Sequence, residues 1–339
     1  MKFITVFFCL LILISSVNVA MATSVPVSKF LIYTVDDLKA VESSDLSYFE
    51  LMNDLEIKDE IWKPIGSSNK PFDEIFDGNN HTITFTKNTE FISADGSENA
   101  GCGLFGYIYD GQIRNLNIVL QGNLTSTENN TGALAGIVNL NYSAVLVSSS
   151  PPTATILNCS VSGDGYSVSG KDNVGGMVGN IIRGSIKNSS SDCSVMTSGN
   201  NAGGLVGFVS HGTILDSSAS GSVQAVENAG GFIGYISNTT VISNNSANGS
   251  VKPAKEFGNF IGGWDENYKP EIANCFYKET EVDLEPALPY ADVIGCPPAP
   301  PAPVICTTNN FLIYLIIGVG FLLLISAGIL YFKKRKMKN

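Results

Sequence analysis

Imidazole is nearly missing from this chain: 339 residues carry only two histidines, His81 and His211. No two cysteines stand as Cys-x-x-Cys, and no His-Glu-x-x-His helix is written anywhere. The usual starting points for a zinc site are therefore lacking, and no metal is expected. Charge is scarce too, at 15% of residues, with 20 Lys and Arg against 31 Asp and Glu for a net of −11. Setting aside Lys2 and the five basic residues after Phe332 leaves 14 cations against the 31 acids. That sign repels phosphate backbones, so no nucleic-acid partner is expected. Helix formers are rare between Cys102 and Tyr277, where Gly, Ser, Asn and β-branched residues dominate. Short extended pieces joined by turns are the expectation there.

Repetition fills the space that chemistry leaves. One short phrase is rewritten as AGCGLFG, TGALAG, VGGMVG, AGGLVG, AGGFIG and GNFIGG, centred on Leu104, Leu134, Met177, Leu205, Phe232 and Phe260. A second phrase follows each copy: IRNLNIVLQGN, ILNCSVSGD, IKNSSSDCSV, ILDSSASGSV, VISNNSANGSV and IANCFYKET. The later copies recur roughly every 28 residues, a solenoid period. One unit cannot bury its own apolar face, so stacked neighbours must do it. The copy from Gly203 to Asn228 divides into GGLVGFV, a turn at His211-Gly212, TILDSSA and SGSVQAV, three extended pieces that suit one coil of a parallel β-helix. The six phrase centres would then stack in one inward column, and Ile156, Ile186, Ile214, Ile242 and Ile272 in another. The stretch Asn139 to Thr155, with Ser148-Ser-Ser-Pro-Pro152, interrupts the period as a loop leaving one coil, and is the first candidate for a contact site.

The flanks carry different signals. Met1 to Ala22 has a charged start, an apolar stretch and an Ala20-Met-Ala22 cleavage pattern, so 1–22 is expected to be a secretory signal; a retained anchor is the alternative, with an apolar run short for a span. Residues 23–86 form an N-terminal cap and first coil, with a strand at Lys29–Tyr33, a helix starting at the Thr34 cap with Asp37 three residues on, and a strand at Tyr48–Met52. Asp77-Gly-Asn-Asn80 is turn chemistry. The repeats occupy 87–278, and 279–310 is a Pro-rich, extended stalk. Phe311–Phe332 is uncharged and long enough to cross a bilayer as a helix, and the basic tail 333–339 marks the cytoplasmic side. The expected topology is single-pass type I in the plasma membrane, N-terminus outside.

Six cysteines remain after Cys9 leaves with the signal, and an even count in a secreted chain favours disulfides. Cys296 and Cys306 bracket a Pro-rich loop and are expected to pair; Cys102, Cys159, Cys193 and Cys275 allow three pairings. Glycan acceptor sequons stand at Asn80, Asn123, Asn129, Asn141, Asn188, Asn238, Asn244 and Asn248, with Asn158 the weakest because Cys159 lies inside its sequon.

The AGGLVG phrase, followed by Ile-x-Asn-Cys/Ser, resembles the GLUG motif (Gly-Leu-x-Gly), found in surface and secreted proteins of bacteria and microbial eukaryotes. Asp37-Leu-Lys-Ala40, Tyr48-Phe-Glu-Leu-Met-Asn-Asp54, Trp62-Lys-Pro-Ile-Gly66 and Phe76-Asp-Gly-Asn-Asn-His-Thr-Ile83 are similar, in order, to that family's opening module, with Asn80 where a second Gly is usual. The resemblance covers about residues 30 to 277. It implies an all-β, right-handed parallel β-helix behind a small α/β cap, serving as stalk or adhesive surface, and assigns no catalytic residues. Some members join the repeats to a zinc peptidase whose helix is absent here.

Several motifs invite chemistry. Gly101-x-Gly103-x-x-Gly106 lacks the helix and later acid of a dinucleotide site, and Gly165 to Asp172 places an acid where a P-loop needs Ser or Thr, so no cofactor is expected. Asp164, Asp192 and Asp216 are the acids to inspect for a glycosidase or lyase, with solvated turn positions the plainer reading. Tyr107, Tyr109, Phe208 and Tyr235 form either an exposed ladder able to hold sugars or proteins, or part of the core; inward packing is the plainer expectation. The function expected is non-enzymatic: a displayed rod for adhesion or surface structure, its partner an extracellular protein or glycan. The alternative is a carbohydrate-active enzyme.

Overall fold

The computed structural model describes residues 28–277, apart from 94, 98–99, 141–154 and 253–254, together with the strand Val293–Gly295. These residues coil into an all-β, right-handed-type parallel solenoid of about 8 turns with one short α-helix. Four sheets run along it, of 13 (sheet A), 9 (sheet B), 6 (sheet C) and 5 (sheet D) strands. Each turn lays its strands in parallel register on the turn before, so equivalent residues repeat at the inter-strand spacing of about 4.8 Å.

Register explains the repeating sequence. Phe30, Phe49, Phe76, Ile113, Ile156, Ile186, Ile214, Ile242 and Ile272 are successive partners along sheet A. Leu104, Leu134, Met177, Leu205, Phe232 and Phe260 form the second expected column, every one buried. Their backbones bond turn to turn, Met177 N–H to Leu205 C=O at 3.0 Å and Leu205 N–H to Phe232 C=O at 2.9 Å. Burying each such side chain contributes roughly 1.5–3 kcal/mol before chain entropy is subtracted. From Ile186 to Ile214 and on to Ile242 the period is 28 residues. Ile113 to Ile156 spans 43, an interval that contains residues 141–154, which lie outside the described residues.

The glycines set how closely turns nest. A Cβ on Gly203 would stand 1.9 Å from the Val206 carbonyl oxygen, and one on Gly230 would stand 1.9 Å from that of Ile233. No side chain fits at either position, which is why the phrase keeps its Gly. A Cβ on Gly101 would likewise meet the Gly106 carbonyl oxygen at 2.0 Å, so the Gly-x-Gly-x-x-Gly run serves packing.

The expected turn at His211-Gly212 is a correction. Val206–Leu215 is one strand of 10 residues, paired through this point with Val178–Lys187 (Arg183↔His211, Gly184↔Gly212). Glycine reads as punctuation in sequence, but here it relieves crowding: a Cβ on Gly212 would lie 2.8 Å from Val209 Cγ1. The chain turns instead at Asp216, where φ is 52°. Ser218–Ala219, Val223–Gln224 and Asn228–Gly230 follow, one strand for each remaining sheet, so a turn has four extended pieces rather than three.

The N-terminal reading holds closely. Phe30–Ile32 is a strand, and Val35–Ala40 a helix capped by the reciprocal Thr34–Asp37 box. A 3-10 turn, Val41–Ser43, leads to the strand Tyr48–Leu51. Leu38 and Val41 are buried in the end of the core. Asn79 and Asn80 take left-handed backbone, φ 51° and 63°, at the expected turn.

The cysteines are the second correction. Cys102, Cys159, Cys193 and Cys275 are free, buried thiols rather than disulfide partners. Each fills a small core position of its own turn: Cys159 Sγ donates to the Leu157 carbonyl (3.4 Å) and Cys193 Sγ meets Ser191 Oγ (3.4 Å). Burial pushes the Cys102 thiol up to about 11 and those of Cys159 and Cys193 to about 12. An even count could not distinguish such packing from pairing. Cys296 and Cys306 lie outside the described residues, as do the signal, stalk, Phe311–Phe332 and basic tail.

Candidate contact surface

Sheet A has an outward column that is half-buried at Tyr107, Asn180, Phe208 and Tyr235 and buried at Ile137 and Gly263. Its successive register partners are Tyr107, Ile137, Asn180, Phe208, Tyr235 and Gly263. Phe208 and Tyr235 are half-buried on this outer face, against the plainer expectation of inward packing. A break in alternation at Gly207 decides it: Val206 and Val209, three residues apart, both point inward at 0% exposure, which leaves Phe208 on the outer face. The two rings stack with centroids 6.0 Å apart and planes 17° from parallel. Tyr107 and Tyr109 are also half-buried, but Ile137 and Asn180 separate Tyr107 from Phe208, so the ladder is one stacked pair rather than four rings. Tyr107 OH instead accepts from Asn139 Nδ2 at 3.2 Å.

Beside the stacked pair lies a shallow groove of about 340 Å³, walled by Asn201, Glu227, Asn228 and Glu256. Asn201 and Asn228 are also the last rungs of an asparagine ladder. Asn173 Nδ2 donates to Asn130 Oδ1 (2.9 Å), Asn201 to Asn173 (2.8 Å) and Asn228 to Asn201 (2.6 Å). Asn130, Asn173 and Asn201 hold φ of 57°, 56° and 63°, a conformation asparagine tolerates at little cost. Partial burial, then the charges of Asp265, Glu256 and Glu266, push the Tyr235 phenol up.

A second ladder edges sheet B. Asn158 donates to Asn115 (3.1 Å), Asn188 to Asn158 (3.2 Å), Asn244 to Asp216 (3.0 Å) and Asn274 to Asn244 (3.2 Å). The recurring Ile-x-Asn/Asp spacing was the signal for it. One residue further along runs a buried polar column that sequence reading missed, because Ser and Asn beside turns read as solvated. There Cys159 N–H donates to Ser189 Oγ (3.1 Å), Ser189 N–H to Ser217 Oγ (3.2 Å) and Ser217 N–H to Asn245 Oδ1 (2.8 Å).

Two of the three acids singled out are occupied with structure. Asp192 accepts from Gly163 N–H (2.5 Å) and Ser162 Oγ (3.0 Å), Asp216 is a ladder rung, and Asp164 is an exposed left-handed turn residue, φ 35°. His81 Nδ1 meets Asp54 Oδ1 at 3.0 Å and His211 Nδ1 meets Ser210 Oγ at 3.1 Å. Sequence reading also missed a polar knot near the N-terminus. Asp77 accepts from Arg114 Nε (2.8 Å), Tyr48 OH (3.0 Å) and Asn115 Nδ2 (3.0 Å).

Of the sequons, Asn80, Asn188, Asn244 and Asn248 are exposed, and Asn123, Asn129 and Asn238 are half-buried. The Nδ2 atoms of Asn188 and Asn244 are ladder donors. Asn123 Oδ1 holds Ser167, and Asn129 Oδ1 is buried without a partner. Asn141 and most of the 139–155 loop fall outside the described residues.

Four sheets, two columns and two ladders define a repeat protein of the parallel β-solenoid class. Residues 198–224, which contain the strands from Ala202 to Gln224, match the family model described as the GLUG motif. A search of curated proteins returned no match. Among solved structures, the fold is similar to a crystal structure from Bacteroides ovatus provisionally described as an immunoglobulin A1 protease. The TM-score is 0.55 at 23% identity, over 74% of this chain and 75% of that one. Identity at that level speaks to the fold alone.

Proposed function

We propose that this is a non-enzymatic, single-pass surface protein whose solenoid is displayed for adhesion or surface-structural contact. The observation that carries the reading is the stacked Phe208–Tyr235 pair, held half-exposed beside a groove on the flank of an unbroken stack. Aromatic pairs with a polar surround suit contact with proteins or glycans. The sequence supports the rest: a signal at 1–22, a stalk at 279–310, a span at Phe311–Phe332 and a plasma-membrane address. Many weak contacts along a repeated face would add by avidity. The loop at 139–155 supplies a second contact element, Cys296–Cys306 a brace for the stalk, and the sequons a glycan coat.

The peptidase description of the Bacteroides ovatus protein is not carried over, because this chain has no His-Glu-x-x-His helix. The test is binding of the purified chain to cells, matrix and glycan panels. Saturable binding that falls on deleting 139–155 or on changing Tyr235 supports display. No binding to any surface, or turnover of a polysaccharide, overturns it.

A further inference from the structure

We infer that the groove beside Tyr235 receives a cationic side chain, an arginine or lysine presented by a basic partner protein. The inference rests on the display reading and narrows it to one partner chemistry. It starts from the position that follows Tyr235 in the outward column, which is Gly263. Phe208 covers the face of Tyr235 toward the preceding turn, and Gly263 sets no side chain against the opposite face. Even a Cβ on Gly263 would come within 3.1 Å of Tyr235 Cδ2, 3.0 Å of Glu256 Oε2 and 2.9 Å of Asn228 Oδ1. Those distances leave no room for a side chain at position 263, so the phenol ring is open to a ligand only from the groove itself, a notch it lines together with the Glu256 carboxylate and the Asn228 amide.

The charges around that notch have the sign a cation needs. Glu227 is held by Lys255 at 3.3 Å, but the Glu256 carboxylate has no hydrogen-bond or ion-pair partner among the described residues. Asp265 and Glu266 add to the negative field at the ring. An aromatic face in a negative field attracts guanidinium or ammonium. A neutral sugar would gain the stacking and hydrogen bonds but no net Coulomb attraction. The net charge of −11 on the chain would draw a basic partner from further away.

The test is calorimetric titration of the full-length chain in detergent with a tetra-arginine peptide, at low and high salt, beside a neutral N-acetylglucosamine oligomer. The wild type is expected to saturate with peptide and to weaken as salt rises. Tyr235→Ala should lose about fivefold or more in affinity. Tyr235→Phe keeps the ring face and should stay within about twofold. Glu256→Gln, nearly isosteric, should lose about threefold even if Tyr235→Ala misfolds. Unchanged peptide affinity in Glu256→Gln and Tyr235→Ala overturns the inference, as does tighter, Tyr235-dependent binding of the sugar. Either result leaves display standing; display fails on its own terms if the wild-type chain binds no cell, matrix or glycan.

Discussion

The two halves of the solenoid fill their cores by different rules. In the N-terminal turns, where successive turns differ in length, large rings meet at steep angles: Trp62 and Phe85 at 89°, Phe85 and Phe91 at 76°, Phe76 and Phe105 at 77°. In the later turns rings lie almost parallel, Phe232 over Phe260 at 16° in the core and Phe208 over Tyr235 at 17° on the outer face. A nearly constant period, 27 residues from Phe208 to Tyr235 and 28 from Ile186 to Ile214 and on to Ile242, lays each position on its equivalent one turn up, so ring aligns with ring. Where successive turns differ in length, rings from non-equivalent positions meet edge to face. Small residues suffice where the turns are regular: Ala202, Ala219, Ala229 and Ala247 are all buried there. The irregular end needs bulk.

The sharpest way to break this comparison is at the aromatic end. Phe105 is fully buried and touches both Phe72 (5.0 Å) and Phe76 (5.3 Å). Phe105→Ala should cost about 3–5 kcal/mol in urea unfolding, against less than about 1 kcal/mol for the half-exposed Phe208→Ala. Equal costs would mean that the N-terminal turns do not depend on bulk. The regular end should be most sensitive at its hidden polar column. Asn245→Ala removes the acceptor of the Ser217 N–H and the donor to the Ile214 carbonyl (2.8 Å). Thermal unfolding should register a loss of about 1–3 kcal/mol, with Asn245→Ser, the residue of the two preceding turns, recovering part of it.

The smallest effect expected is a pH dependence at the N-terminal end. Burial pushes the Asp77 carboxyl up, but bonds from Asn115, the Asn79 backbone, Arg114 and Tyr48 outweigh it and hold the pKa below the usual carboxylate range. The stability this supplies is present above the unfolded carboxylate pKa and lost as pH falls through the depressed folded value. Urea midpoints measured from pH 7 down to pH 3 should therefore fall less steeply for Asp77→Asn than for the wild type. Parallel curves would remove Asp77 from the acid response.

Much of this architecture was legible beforehand, and for one reason. Columns such as Leu205–Phe232–Phe260 and Ile186–Ile214–Ile242 are written directly as period, and the Thr34–Asp37 capping box is a local signal. Elsewhere one residue type serves opposite ends. Gly212 looked like a turn and is an inward relief of crowding beside Val209. Cys159 and Cys275 looked like disulfide halves and are small buried side chains in line with Ser189, Ser217 and Asn245. The outward face of Phe208 and Tyr235 was illegible because Gly207 and Gly234 break the alternation that would have assigned it.

The Asn130–Asn173–Asn201–Asn228 ladder also makes length adjustable. Each amide grips only the one below it, so nothing in the chain of donors counts how many there are. Excising one 28-residue unit, such as 186–213, would bring Ile214 against Ile156 and rejoin every file one step short. The molecule behaves as a ruler that tandem duplication could lengthen by about 4.8 Å per copy, without inventing a new contact.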